Sequence, residues 1–191
     1  MSDWESYRRK ISSLMGQIQA EDISGRRIPV DTAFETLYQL TCALRSERKT
    51  IYCIGNGASA SIASHFAADM AKNGALHTEV FSDLALLTAI GNDLGFENVF
   101  REPLSKRAVP GDMLAAVSSS GNSPNILNAV CWAREAGVRI VTFTAMSAEN
   151  RLRRLGDLNF YFPAATYGDA ESLHASALHY WINMFLEKRQ G

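Results

Sequence analysis

The sequence predicts an α/β protein with three layers, α/β/α, in which helices cover both faces of a mostly parallel sheet of five strands. Short apolar runs rich in β-branched and aromatic residues alternate along the chain with longer helical patterns. Two of these runs end in turns rich in glycine, serine and asparagine, and a helix follows each turn. Such alternation is typical of a parallel sheet whose ligands bind beyond the carboxyl ends of its strands.

The N-terminal segment, residues 1–48, is predicted to be helical and to belong to the same domain as residues 49–191. Apolar residues recur at helical spacing from Trp4 to Ile18 and form a narrow seam. Gly25 and Pro29 end this pattern, and Asp31 is expected to cap a second amphipathic helix. These helices either pack on the body of the domain or pair with copies of themselves in an oligomer.

The remaining elements follow from the period of the apolar residues. The predicted strands are residues 50–54, 79–81, 113–117, 139–143 and 158–162. The predicted helices follow the two polar turns and also cover residues 84–90, 96–107 and 169–188.

Composition and charge favour a protein that acts in the cytoplasm. With 19 basic and 20 acidic residues and no long basic cluster, the chain gives no support to a nucleic-acid or membrane partner. No apolar run approaches the roughly 20 residues of a membrane span, and the first residues do not resemble a secretion signal. Cys42, Cys53 and Cys131 lie in apolar segments, so we expect reduced core residues and a cytoplasmic location.

The two polar turns, residues 55–59 and 117–124, are candidate anion sites. Backbone N–H groups at a helix start and short hydroxyls can surround an anion, and the helix dipole favours its charge. The alternative for the second turn is an ordinary strand-to-helix connection with Ser123 as the N-cap. Neither turn is a dinucleotide-binding or triphosphate-binding loop, and no adjacent lysine is placed to hold a triphosphate, so we expect a phosphate monoester.

Histidines and carboxylates on two helices are candidates for metal binding or proton transfer. His65 and Asp69 are spaced i, i+4 and share a helix face, while Glu171, His174 and His179 lie on the last helix. They could hold a metal such as Zn²⁺ or act as acid and base. Alternatively, His65 and Asp69 form a surface pair and Glu171 only favours the helix dipole.

Several motifs together resemble the sugar isomerase (SIS) domain family, and within it the phosphoheptose isomerase branch. They are residues 55–59, 65–67, 89–96 and 118–123 together with the histidine-bearing final helix. The resemblance covers nearly the whole chain and implies a flavodoxin-like sheet, with the N-terminal helices used in a homotetramer.

The resemblance also implies a role for individual residues. The phosphate would be held by Ser118, Ser119, Ser120 and Ser123, and the sugar by Asn56, Gly57, Ala58, Asn92, Asp93 and Glu171. One zinc ion per subunit would be bound by His65, Asp69, Glu171 and His179, with Asp69 as catalytic base and His179 as catalytic acid. This chain departs from the family at three positions: Asp69 replaces the usual Glu, Glu171 the usual Gln, and Ala58 a usual glycine.

The implied function is aldose–ketose isomerisation of a sugar phosphate. The expected reaction converts sedoheptulose 7-phosphate to D-glycero-D-manno-heptose 7-phosphate through an enediol(ate). The alternative is a non-catalytic SIS-domain regulator of the type that binds the bacterial replication initiator. That branch lacks the acidic residue at position 69 and the histidine at position 179, and both are present here, which favours the enzyme.

Overall fold

The computed structural model describes residues 3–188, which form seven strands and seven α-helices. The strands are β1 (Gln19–Asp22), β2 (Arg27–Ile28), β3 (Thr50–Gly55), β4 (His77–Val80), β5 (Met113–Ser118), β6 (Arg139–Ala145) and β7 (Leu158–Phe162). The helices are α1 (Trp4–Met15), α2 (Val30–Ser46), α3 (Ala58–Lys72), α4 (Leu84–Asp93), α5 (Arg101–Arg107), α6 (Pro124–Glu135) and α7 (Tyr167–Glu187). Two short 3₁₀ helices span Phe96–Asn98 and Leu152–Arg154.

All the strands lie in one sheet, in the order β2-β1-β7-β6-β5-β3-β4. Strands β3 to β7 run parallel, so the predicted three-layer α/β/α class is confirmed. Strand β4 lies on one side of β3, whereas β5, β6 and β7 follow in turn on the other side. The strand order therefore reverses between β3 and β5, and the carboxyl ends of these strands flank the crevice in which open α/β sheets bind ligands.

Buried apolar side chains fill the space on both faces of the sheet. On one face Phe143 and Phe160 stack with ring centroids 5.1 Å apart, and Trp181 of α7 packs beside them. The Trp181 indole N–H donates to the Thr41 hydroxyl of α2 at 2.8 Å, so its one polar atom is satisfied inside the core. On the other face, Leu114 of β5 packs among residues of α5 and α6.

The sequence does not predict the β1–β2 hairpin, and the sheet has seven strands rather than the expected five. The first helix is expected to reach Ile18, but α1 ends at Met15 and β1 follows. The β1 sequence Gln-Ala-Glu-Asp has one apolar residue and so shows no strand pattern. Ala20 is nevertheless buried because it pairs with Phe160 of β7, so the sheet edge makes β1 a strand.

A buried arginine holds the hairpin against the sheet. Arg153 donates from Nε to the Glu21 carboxylate at 3.0 Å and from Nη2 to Gln19 Oε1 at 2.9 Å. Its guanidinium carbon lies 4.2 Å from the centre of the Tyr161 ring on β7. The contact with Glu21 joins positions 132 residues apart, which no local pattern can predict.

Other differences are local. Helix α2 begins at Val30 after Pro29, so Asp31 lies in its first turn instead of capping it. The helix predicted over residues 96–107 is split into a 3₁₀ helix and α5, and α4 continues to Asp93. Cys53 is buried as expected, whereas Cys131 is exposed on the outer side of α6. Within residues 3–188 no helix is both long and apolar enough to cross a membrane.

Candidate functional site

The two polar turns meet in one cavity at the switch point of the sheet. Because β3 and β5 pair in parallel, with Gly55 opposite Val117, the segments that follow them lie side by side. Together they form a cavity of about 270 Å³, which we call the serine cavity. Its lining residues are Asn56, Gly57, Ala58, Ser59, Ser118, Ser119, Ser120, Ser123, Tyr167 and Glu171.

The starts of α3 and α6 border this cavity, with Ala58 and Ser59 of α3 and Ser123, the N-cap of α6, in its lining. Gly57, the N-cap of α3, has φ +56° and no side chain, and the side chain of Ser123, the N-cap of α6, makes no capping hydrogen bond. An added Cβ at Gly55 would lie 2.6 Å from the Ser59 backbone, so glycine permits α3 to start this close to the strand. Two helix N-termini at one cavity favour a bound anion.

Hydrogen bonds within the second turn fix the serine hydroxyls. Ser118 Oγ accepts from the Gly121 N–H at 3.2 Å, and Ser120 Oγ accepts from the Asn122 N–H at 3.3 Å. Each hydroxyl therefore keeps its own proton for a ligand. Ser119 Oγ is buried and makes no hydrogen bond within residues 3–188. The turn is thus a set of oriented donors of the kind that a phosphate monoester requires.

An amide pair not expected from the sequence joins the two turns. Asn56 Nδ2 donates to Asn125 Oδ1 at 3.0 Å, and Asn125 Nδ2 donates back to Asn56 Oδ1 at 2.9 Å. Tyr167 and Ser59 also line the cavity without having been assigned a role from the sequence. The position of Ser59 in the first polar turn was a usable signal, whereas no local signal marks Asn125.

A second polar group lies further along α3 and α7. His65 Nε2 is 3.3 Å from Asp69 Oδ2, and the rings of His65 and His179 have centroids 5.4 Å apart. One ligand atom from each of these residues lies within 4.8 Å of the other two. We call these three residues the histidine cluster; two imidazoles and a carboxylate at this spacing fit the donor set of zinc.

Of the residues predicted to bind metal or sugar, Glu171 lies outside the histidine cluster, and Asn92 and Asp93 lie outside the serine cavity. Glu171 lines the serine cavity, and it precedes His179 by eight residues, which is about 12 Å along a helix. It is therefore not among the residues whose ligand atoms come together in the single chain. Asn92 donates to the Asp93 carboxylate at 2.8 Å, and both are exposed at the end of α4, outside the lining of the serine cavity.

His174 lies between the two sites on α7 but faces the core. Its ring is fully buried and packs edge-on against Phe162 with centroids 4.9 Å apart. Neither ring nitrogen makes a well-formed hydrogen bond within residues 3–188. Burial lowers the pKa of His174 to about 4, and the Thr144 backbone beside the ring opposes only part of this effect. His174 is therefore neutral at neutral pH and cannot share in the histidine cluster's charge.

Comparison with known proteins places these features in a family. A family model described as SIS domain matches residues 6–145. A phosphoheptose isomerase of Rhodospirillum rubrum is 34% identical over 146 residues, which cover 73% of this chain and 77% of that protein. One of Nitratidesulfovibrio vulgaris is 42% identical over 120 residues, which cover 60% of this chain but only 57% of that relative. The solved phosphoheptose isomerase of Neisseria gonorrhoeae is 28% identical with a TM-score of 0.76, covering 81% of this chain and 86% of that one.

Proposed function

This chain belongs to the SIS domain family, and we propose that it is an aldose–ketose isomerase, an intramolecular oxidoreductase acting on a sugar phosphate. Its substrate in this proposal is sedoheptulose 7-phosphate and its product D-glycero-D-manno-heptose 7-phosphate. The names of the relatives support that substrate. The observation that carries the proposal is that one pair of helices, α3 and α7, contributes to both an anion cavity and a cluster of proton-transfer groups.

Phosphate binding is assigned to the serine cavity. Ser118, Ser119 and Ser120 line this cavity, and the N-terminal ends of α3 and α6 border it. The serine hydroxyls can donate to an anion, and the positive ends of the two helix dipoles favour its charge. Such a site anchors the substrate by its phosphate and leaves the carbonyl end free to react elsewhere.

Proton transfer is assigned to the histidine cluster. Asp69 acts as the base that moves a proton between C1 and C2 of the open-chain sugar through an enediol(ate). His179 exchanges protons with the substrate oxygens, and His65 orients the Asp69 carboxylate from 3.3 Å. A zinc ion bound by the cluster would polarise the carbonyl and hydroxyl oxygens and stabilise the charge of the enediolate.

The spacing of the two sites favours an elongated substrate. His65 follows Ser59 by six residues on α3, which corresponds to about 9 Å along the helix axis. Glu171 and His179 show a similar separation on α7. A sugar phosphate whose reacting carbons lie at the far end from its phosphate matches such a separation, whereas a compact anion does not.

We further propose that the protein is a homotetramer in which residues 1–48 form part of the same domain and contribute to subunit contacts. Helix α1 has no buried residue in the single chain, and Trp4 and Met15 on it are exposed. His65 is 63% exposed, so another subunit must cover this face if the reaction is to be shielded from water. Three free cysteines are consistent with a cytoplasmic location for the reaction.

The proposal is tested by incubating zinc-loaded protein with sedoheptulose 7-phosphate and following aldose formation by NMR. Asp69→Asn should lower kcat by at least about 100-fold, because it removes a general base. The same variant should keep the thermal stabilisation by inorganic phosphate. Glu135→Gln, which removes an exposed carboxylate on α6, is the matched control and should leave turnover unchanged. Phosphate binding without turnover in the unaltered chain would instead favour a non-catalytic SIS-domain regulator.

A further inference from the structure

We propose that Asn125 is a positioning residue that sets the width of the serine cavity through its amide pair with Asn56. This inference rests on the proposed function in assigning phosphate to the cavity, and it concerns residues that do not themselves react.

The orientation of both amides follows from the hydrogen bonds around them. Asn125 is only 2% exposed, and its Oδ1 accepts from the N–H of Ile126 at 3.0 Å as well as from Asn56. The backbone donor requires an oxygen at this position, so the Asn125 nitrogen must face Asn56 Oδ1. Asn56 can then only present its own nitrogen to Asn125 Oδ1. The pair is reciprocal and has a single arrangement.

The amide pair links parts of the chain that the sheet itself does not hold together. The ladder between β3 and β5 ends at Gly55 and Val117. Beyond that point the first turn leads to α3 on one face of the sheet and the second leads to α6 on the other. Within residues 3–188 the amide pair supplies the side-chain hydrogen bonds that cross between these turns. It therefore fixes the separation of the two helix N-termini.

The chemistry of the pair suits an anion site. Two helix N-termini carry partial positive charges and repel each other when no anion lies between them. A pair of neutral amides opposes that repulsion without cancelling the positive potential, whereas a carboxylate at position 125 would add a competing negative charge. Because its amide is engaged with Asn125, Asn56 serves the cavity mainly by holding the first turn in place. The serines and backbone N–H groups then meet a phosphate without rearrangement, which lowers the cost of binding.

The test measures binding of inorganic phosphate by calorimetry and the kinetics of isomerisation in Asn125→Ala, Asn56→Ala and the double variant. Each single change should raise the phosphate Kd and the sugar-phosphate KM by about tenfold, as expected when oriented donors lose their fixed spacing. The kcat should change by less than about threefold, because the histidine cluster is untouched. The double variant should bind phosphate no more weakly than either single one, since both single changes remove the same pair.

Asn128→Ala is the matched control. Asn128 lies on the same helix and donates to Glu97 O and Asn98 Oδ1, away from the cavity, so its loss should leave the phosphate Kd unchanged. Asn125→Asp separates the loss of the hydrogen bonds from the loss of packing. It keeps the side-chain shape but places a carboxylate oxygen against Asn56 Oδ1. It should therefore weaken phosphate binding more than Asn125→Ala.

Distinct results would overturn the inference. An unchanged phosphate Kd in Asn56→Ala, whose partly exposed site tolerates truncation, would reduce the pair to a structural contact, and so would additive effects in the double variant. If the unaltered chain bound no phosphate, both this inference and the proposed function would fail. If the unaltered chain binds phosphate and neither asparagine variant changes the phosphate Kd, this inference alone would fail.

Discussion

Protonation of His174 should weaken the fold below neutral pH. The folded protein binds this proton only near pH 4, whereas an unfolded histidine binds it near pH 6.5. Between these values the unfolded state holds more protons than the folded state, so the free energy of unfolding falls as the pH is lowered. Well above pH 6.5 the group is neutral in both states and contributes no pH dependence.

The size of the effect follows from the two pKa values. The full difference, reached below pH 4, corresponds to about 3 kcal/mol at 1.36 kcal/mol per pKa unit. At pH 5 the linkage relation gives a loss of about 2 kcal/mol relative to pH 7.5. That is a large fraction of the 5–15 kcal/mol that typically stabilises a domain.

The assay is urea denaturation of metal-free protein between pH 7.5 and pH 5, comparing the unaltered chain with His174→Leu. Leucine has a similar volume and cannot titrate, so the variant should lose about 2 kcal/mol less over this range whatever its stability at pH 7.5. His77→Gln, which removes an exposed histidine on β4, is the control for the loss of a histidine outside the core. Equal losses in the unaltered chain and His174→Leu would refute the argument.

Further changes act on the second polar turn, the hairpin and the histidine cluster. Gly121→Ala should cost about 3 kcal/mol by urea denaturation, because φ is +61° and the new Cβ would lie 2.0 Å from the Asn150 side chain. Arg153→Met should cost a similar 3 kcal/mol by leaving the Glu21 carboxylate without its buried partner, and Glu21→Gln in the same chain should restore part of it. Zinc at 100 times its Kd should raise the free energy of unfolding by about 2.7 kcal/mol in calorimetric melts, and His179→Ala should remove most of that gain.

The glycine and arginine changes each have a control within the chain. Gly168→Ala adds a Cβ where no atom lies within 4 Å, so a loss as large as that of Gly121→Ala would argue against the steric reason. Arg154→Met removes an exposed arginine next to Arg153 and should cost under 0.5 kcal/mol. Zinc stabilisation that survives in His179→Ala would place the metal elsewhere.

The parallel part of the fold was predictable because runs of apolar and aromatic residues mark its strands. Residues 158–162 are apolar or aromatic at every position except Asn159, and the predicted bounds coincide with β7. The β1–β2 hairpin was not predictable, because β1 is held by β7 and Arg153, more than 100 positions away, and, among the described strands, β2 pairs only with β1. A local sequence pattern indicates only local conformational preferences, and an edge strand held by distant partners need not show any.

The candidate site also has a part that the sequence predicts and a part that distant contacts determine. The i, i+4 spacing of His65 and Asp69 predicted their contact, and the carboxyl ends of parallel strands predicted the meeting of the two polar turns. The contribution of His179 to the cluster depended on the resemblance to a family, since its distance from α3 is set by tertiary packing. Asn125 was missed because its partner lies 69 positions away.

The two parts of the site differ in how far the single chain organises them. The serine cavity is built from buried or hydrogen-bonded groups: Ser118 and Ser120 are fixed by their own turn, and the amide pair fixes the turns to each other. It is therefore organised in the single chain. The histidine cluster lies on the open surface of α3 and α7, where water competes for its charges. In the tetramer proposed above, phosphate binding would need only one subunit, whereas turnover would need a neighbouring copy to cover the cluster, so dilution should lower kcat before it weakens phosphate binding.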